Sequence, residues 1–163
     1  MSLIDVSVGG IMTKEVKTIE GSRLLTEGVR LMRDAHIGSV VVVNGYRPAG
    51  IFTEQDLVSK IADGIDTLKV TMAQVMSMPL TTILPTASVW DALALIGRKN
   101  IRHLPVVHED RLVGILTERD VVRLILSQHD LLFESISETY LLLRKIGSEG
   151  FLSRYGMDNP PTR

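Results

Sequence analysis

Shifted by 64 residues, the chain lies over itself: residues 9–61 align on 73–125 without a gap. Met12 meets Met76, Thr18-Ile19 meets Thr82-Ile83, Leu31 meets Leu95, and Ile37 meets Ile101. Val42-Val43 meets Val106-Val107, Arg47 meets Arg111, and Ile61 meets Ile125. The densest stretch sets Gly50-Ile51-Phe52-Thr53-Glu54-Gln55-Asp56 over Gly114-Ile115-Leu116-Thr117-Glu118-Arg119-Asp120. One unit this small cannot bury a core alone. Two copies packed face to face can, and the seam between them is a natural ligand cleft. At 163 residues the chain fits one domain built of two half-units.

Composition narrows the class. Apolar residues make up 45% of the chain and the mean hydropathy is +0.20. That richness predicts strands buried on both faces. A net charge of −1 gives no signal for a nucleic-acid partner. The absence of cysteine excludes disulfides, thiol catalysis and thiolate metal sites, and it fits a reducing cytoplasm. Met1-Ser2-Leu3-Ile4-Asp5 lacks the basic region and apolar stretch of a signal peptide. No apolar run approaches the roughly 18 residues of a membrane span. The expectation is a soluble, cytoplasmic protein without a membrane partner.

Both copies share one grammar of strand, helix, strand, strand, helix. An extended piece (16–19; 80–83) leads to a helix whose expected N-caps are Ser22 and Thr86. Apolar residues then recur at helical spacing: Leu25, Val29 and Met32 in the first copy, Val89, Leu93 and Ile96 in the second. Strand formers follow at 39–43 and 104–107, then turns at Asn44-Gly45 and at His108-Glu109-Asp110. Second strands at 49–52 and 113–116 run into helices at 54–62 and 118–126. Residues 63–75 link the copies. Residues 129–163 have no counterpart; Leu132, Ile136, Tyr140 and Leu143 predict a helix there, over 131–146, before a frayed end. That helix would bind a partner, pack on its own domain or wrap a second protomer.

Thr-x-x-Asp recurs at 53–56 and 117–120, where a strand enters a helix. The pattern is a capping box, with threonine as N-cap and aspartate three residues on. It can also be a ligand site. A helix N-terminus attracts phosphate, a threonine hydroxyl can donate to it, and a carboxylate can accept both hydroxyls of a ribose. The copies differ in charge. Residues 98–123 carry Arg98, Lys99, Arg102, Arg111, Arg119 and Arg123, whereas 34–59 carry only Arg47. Arg102-His103 can meet phosphate through charge-assisted hydrogen bonds; the first copy has Gly38-Ser39 there, and Val41 in place of Pro105. The alternative for this cluster is a solvated face with salt bridges to Glu109 and Glu118. Thr18-Ile19 and Thr82-Ile83 offer backbone groups to an adenine edge. Ile101 and Leu104, or Ile37 and Val40, offer apolar walls, or serve as ordinary core. Four histidines without H-x-x-x-H spacing give no metal site, and no nucleophile stands beside a base.

The two seven-residue motifs at one offset, with Ile-Arg-His-Leu-Pro-Val-Val at 101–107, resemble the cystathionine β-synthase (CBS) domain, and the pair resembles a Bateman module over about residues 5–126. The resemblance implies a mixed α/β (α+β) fold: two β-α-β-β-α units, related by a pseudo-two-fold axis and packed sheet to sheet, plus a C-terminal helix. It sets units at 5–64 and 69–128, with a helical tail at 129–163. It implies a regulatory module that performs no catalysis and senses an adenosyl ligand: AMP, ADP, ATP, NAD or S-adenosylmethionine. No cofactor is required; the partners expected are a second copy of the chain and a regulated protein. The candidate ligand residues are Thr82, Ile83, Ile101, Arg102, His103, Leu104, Pro105, Thr117, Arg119 and Asp120, and, in the first copy, Thr18, Ile19, Ile37, Gly38, Ser39, Thr53 and Asp56. The rival reading is a ligand-free homodimerisation module in which both Thr-x-x-Asp motifs only cap.

Overall fold

The computed structural model describes residues 5–127. The repeat in sequence becomes a repeat in structure. The first copy forms α1 (Val8–Ile11), β1 (Thr18–Glu20), α2 (Leu25–Ala35), β2 (Ser39–Asn44), β3 (Arg47–Thr53) and α3 (Glu54–Ala62). The second forms α4 (Met72–Val75), α5 (Val89–Lys99), β4 (His103–His108), β5 (Arg111–Thr117) and α6 (Glu118–Ser127). Every start in the second copy lies 64 residues after its counterpart. The fold is mixed α and β, in two β-α-β-β-α-like units. The helix expected at 131–146 and the end at 158–163 lie outside the described residues.

Contacts divide the described residues into two compact units, which do not follow the sequence order. One holds 14–82 with 107–114; the other holds 5–13 with 83–106 and 115–127.

In the first unit, β1 pairs parallel to β2 (Thr18↔Val41, Ile19↔Val42, Glu20↔Val43) and β2 pairs antiparallel to β3. The β2–β3 register slips between Val42 and Val43, which face Gly50 and Pro48. Proline donates no hydrogen bond, so it is tolerated at such an irregularity. Val40, Val41, Val42 and Val43 are all buried, so neither face of β2 is open to water, as the apolar composition predicts. Ile19, Leu25, Met32, Val40, Val42, Phe52, Met72 and Val75 form the core, with Leu31, Leu57 and Met76 packed against it.

In the second copy, β4 and β5 are joined by Glu109-Asp110, both at positive φ. The counterpart of β1 shrinks to one parallel bridge, Ile83↔Val106. Two prolines remove donors from this ladder. In the first copy the Gly21 N–H reaches the Val43 carbonyl at 3.0 Å and the Val41 N–H the Lys17 carbonyl at 3.4 Å; their counterparts, Pro85 and Pro105, have no N–H to give.

The lead-in segments exchange. Residues 70–77 dock on the first copy: the Leu25 N–H donates to the Val70 carbonyl at 2.9 Å, Met72 to Arg23 at 2.8 Å, and Ala73 to Gly21 at 2.9 Å. Residues 6–13 dock on the second copy through the same three bonds moved by one repeat: Val89 to Val6, Val8 to Ala87 and Gly9 to Pro85, each 2.8 Å.

These bonds also move the helix starts. The expected N-caps, Ser22 and Thr86, are not caps; α2 and α5 begin after Leu24 and Ser88. The lead-ins claim the carbonyls of residues 21, 23, 85 and 87, which holds that stretch extended and delays each helix by two residues.

Candidate functional site

Each Thr-x-x-Asp turn closes on itself. In the first copy, the Thr53 N–H and hydroxyl both donate to Asp56 Oδ2, at 2.8 and 2.7 Å, and the Asp56 N–H donates back to Thr53 Oγ1 at 3.2 Å. In the second, the Thr117 N–H and hydroxyl donate to Asp120 Oδ2, again at 2.8 and 2.7 Å. The capping box is therefore complete in the first turn, and the second shows its aspartate half. It also has a chemical consequence. A threonine hydroxyl has one proton, and here it goes to aspartate rather than outward.

What differs is the second carboxylate oxygen. Asp56 Oδ1 accepts a hydrogen bond from the Ser77 hydroxyl at 3.0 Å. Asp120 Oδ1 has only the Arg123 guanidinium, at 3.9 Å, among the described residues. The Asp120 side chain is 9% exposed and that of Arg123 is 77% exposed. Among the described residues, Asp120 is thus a nearly buried carboxylate whose Oδ1 accepts no hydrogen bond.

Residues 37–39 and 101–103 meet these turns through the backbone. The Glu54 N–H donates to the Gly38 carbonyl at 3.0 Å, and the Glu118 N–H to the Arg102 carbonyl at 3.4 Å. This sets Arg102, exposed, and His103, half-buried, beside the start of α6. Ile37 and Ile101 are half-buried, Arg119 is exposed, and Ser39, Leu104 and Pro105 are buried. Ile19 lies in the core, so only its backbone could meet a ligand; Thr18 and Thr82 are exposed. The Ile83 N–H is already given to the Pro105 carbonyl at 3.1 Å.

Two members of the basic cluster, Arg98 and Arg111, are engaged elsewhere. Arg98 Nε donates to the Ala94 carbonyl of its own helix at 3.3 Å. Arg111 lies 5.9 Å from the Tyr46 ring centroid, which Arg47 also approaches, at 5.8 Å, while Arg47 reaches Asp110 at 4.0 Å. Among the described residues no group of three or more acidic or histidine side chains could hold a metal, and no helix is long and apolar enough to cross a membrane.

Ser77 escaped the sequence reading. Its signal was there: the alignment pairs Met12 with Met76, and a hydroxyl residue, Thr13 or Ser77, follows each methionine. Nothing in the sequence alone ties that hydroxyl to a carboxylate 21 residues earlier.

The CBS domain family model matches the chain twice, over residues 8–63 and 72–127. This chain belongs to the CBS-domain family. The two matches are tandem, so it is a CBS pair. A protein of Methanopyrus kandleri is 37% identical over 121 residues, covering 72% of this chain and 62% of that protein. The CBS domain-containing protein YhcV of Bacillus subtilis is 32% identical over 116 residues, covering 71% and 82% of the two chains. The chain spans 62%, 41% and 32% of the length of the first curated relatives it matches. Among solved structures, the CBS domain pair of protein MJ0100, in complex with 5′-methylthioadenosine and S-adenosyl-L-methionine, superposes with a TM-score of 0.67. It is 25% identical, with 73% of this chain and 98% of that one covered.

Proposed function

We propose that this CBS pair is a regulatory module, not an enzyme, that binds an adenosyl ligand at the β5–α6 turn of its second repeat. The observation that carries this reading is Asp120: a nearly buried carboxylate with one oxygen fixed by Thr117 and the other, among the described residues, without a hydrogen bond. A ribose presents two adjacent hydroxyls to such a group. The α6 N-terminus, Arg102 and His103 would take phosphates when the ligand has them. The MJ0100 complex supports the adenosyl class, and its ligands show that a CBS pair can take adenosyl groups without phosphate. AMP, ADP and ATP remain the nucleotides we favour here because of Arg102. The module works as a cytoplasmic homodimer, and the ligand acts on a partner protein by favouring the state that binds it more tightly.

Thermal denaturation with millimolar AMP, ADP, ATP, NAD or S-adenosylmethionine tests the reading, because a ligand of the native state raises its apparent stability. At least one member of the panel is expected to raise Tm by several degrees. No shift with any of them would leave the rival, a ligand-free dimerisation module; the complete capping box at Thr53–Asp56 favours that rival.

A further inference from the structure

The two turns carry the same motif, yet they are not equivalent acceptors. Both oxygens of Asp56 are engaged: Oδ2 by Thr53 and Oδ1 by the Ser77 hydroxyl at 3.0 Å. The serine is not on a free loop. Its N–H donates to the Ile51 carbonyl at 2.8 Å and its carbonyl accepts from the Ile51 N–H at 3.3 Å. These bonds hold the hydroxyl against the carboxylate. In the second repeat Thr13 is held to Ile115 by the same pair of bonds, both 2.9 Å. Among the described residues, however, no bond joins its hydroxyl to Asp120. Threonine is β-branched, so its hydroxyl has fewer orientations to choose from than that of serine.

We propose that Ser77 is an internal competitor: its hydroxyl occupies the place on Asp56 that a ribose hydroxyl would take, so that each chain binds one adenosyl ligand, in the second repeat. This rests on the adenosyl-binding reading above. A ligand entering the first repeat must displace the serine hydroxyl or share Oδ1 with it, whereas at Asp120 it meets an oxygen that no hydroxyl of the described residues occupies. The duplication has thus yielded one open copy and one closed by its own chain.

Titration calorimetry with AMP and with 5′-methylthioadenosine tests it on the full chain. The wild type should bind one ligand per chain. Ser77→Ala keeps both backbone bonds to Ile51, so it should fold. It should add a second site, or tighten a weak one by at least fivefold, and Ser77→Ala with Asp56→Asn should return to one. Asp120→Asn, which can still accept from Thr117, should lose the wild-type site. Two equal sites in the wild type, or a folded Ser77→Ala that still binds only one ligand, overturns the competitor role and leaves the adenosyl reading intact. A wild type that binds neither ligand, or an Asp120→Asn chain that binds as well as wild type, overturns the reading on which the competitor rests.

Discussion

Gly28 stands in the middle of α2, where a Cβ would lie 2.5 Å from the Met72 Sδ and 3.0 Å from its Cε. Met72 is fully buried, so its flexible end can give way only by displacing its neighbours in the core. One repeat later the same pair is Ala92 and Val8: the helix residue is larger by a methyl group and its neighbour is smaller. The copies have kept the volume and divided it differently. Gly28→Ala should therefore lose stability. Overpacking costs about 1–3 kcal/mol and exceeds the gain of up to about 1 kcal/mol from replacing glycine in a helix. Adding Met72→Val should restore most of the loss, and the two changes should couple by about 1 kcal/mol in a denaturant double-mutant cycle. Simple additivity would mean that the two sites do not share their space. At the ligand turn, Arg102→Ala should weaken AMP more than adenosine in calorimetry, since a guanidinium that meets phosphate does nothing for a ligand without one. Equal weakening of both would place the phosphate elsewhere.

The long elements were legible because hydrophobic spacing and strand-forming runs are local signals. The bounds Glu54–Ala62 and the two hairpins could be read from residues that carry their own instructions. The four-residue helices α1 and α4 could not, because one turn has no period to detect. The helix starts were misplaced for a different reason: Ser22 and Thr86 have the right chemistry, but tertiary hydrogen bonds to the lead-ins hold their neighbourhood extended. Ser88 takes the role instead. Its Oγ accepts from the Asp91 N–H at 3.0 Å and donates to Asp91 Oδ2 at 2.6 Å. Ser88→Ala should cost about 1 kcal/mol, whereas Thr86→Ala should cost well under that, as read by thermal denaturation. A larger loss at Thr86 would restore the sequence-based cap. Of the site, the two Thr-x-x-Asp turns were visible because capping is local, while the unequal partners of Asp56 and Asp120 come from segments distant in sequence.

For the chain as a whole, the surface of α3 predicts association. Val58 and Ile61 are 68% and 59% exposed. Exposed apolar stripes mark interaction surfaces, and two-fold pairing of identical surfaces is the commonest closure. Light scattering at micromolar concentration should give a dimer for the full chain and for a chain ending at Ser127; a monomeric mass for both would refute it. Deleting residues 5–13 should loosen the second repeat first, since Val89, Ala87, Pro85 and Ile115 lose their partners. Amide exchange should show α5 losing protection while α2 keeps it, and uniform loss would mean that the repeats unfold together. The exchanged lead-ins also impose a chronology on synthesis. Residues 6–13 leave the ribosome well before their docking strand at Ile115, which is made about a hundred residues later, roughly 5–20 s at typical elongation rates. The first repeat must likewise wait for residue 77 before its outer bonds can close. Until then each nascent repeat presents an open edge of unpaired backbone. The lead-in of a neighbouring nascent chain could fill that edge with the same bonds.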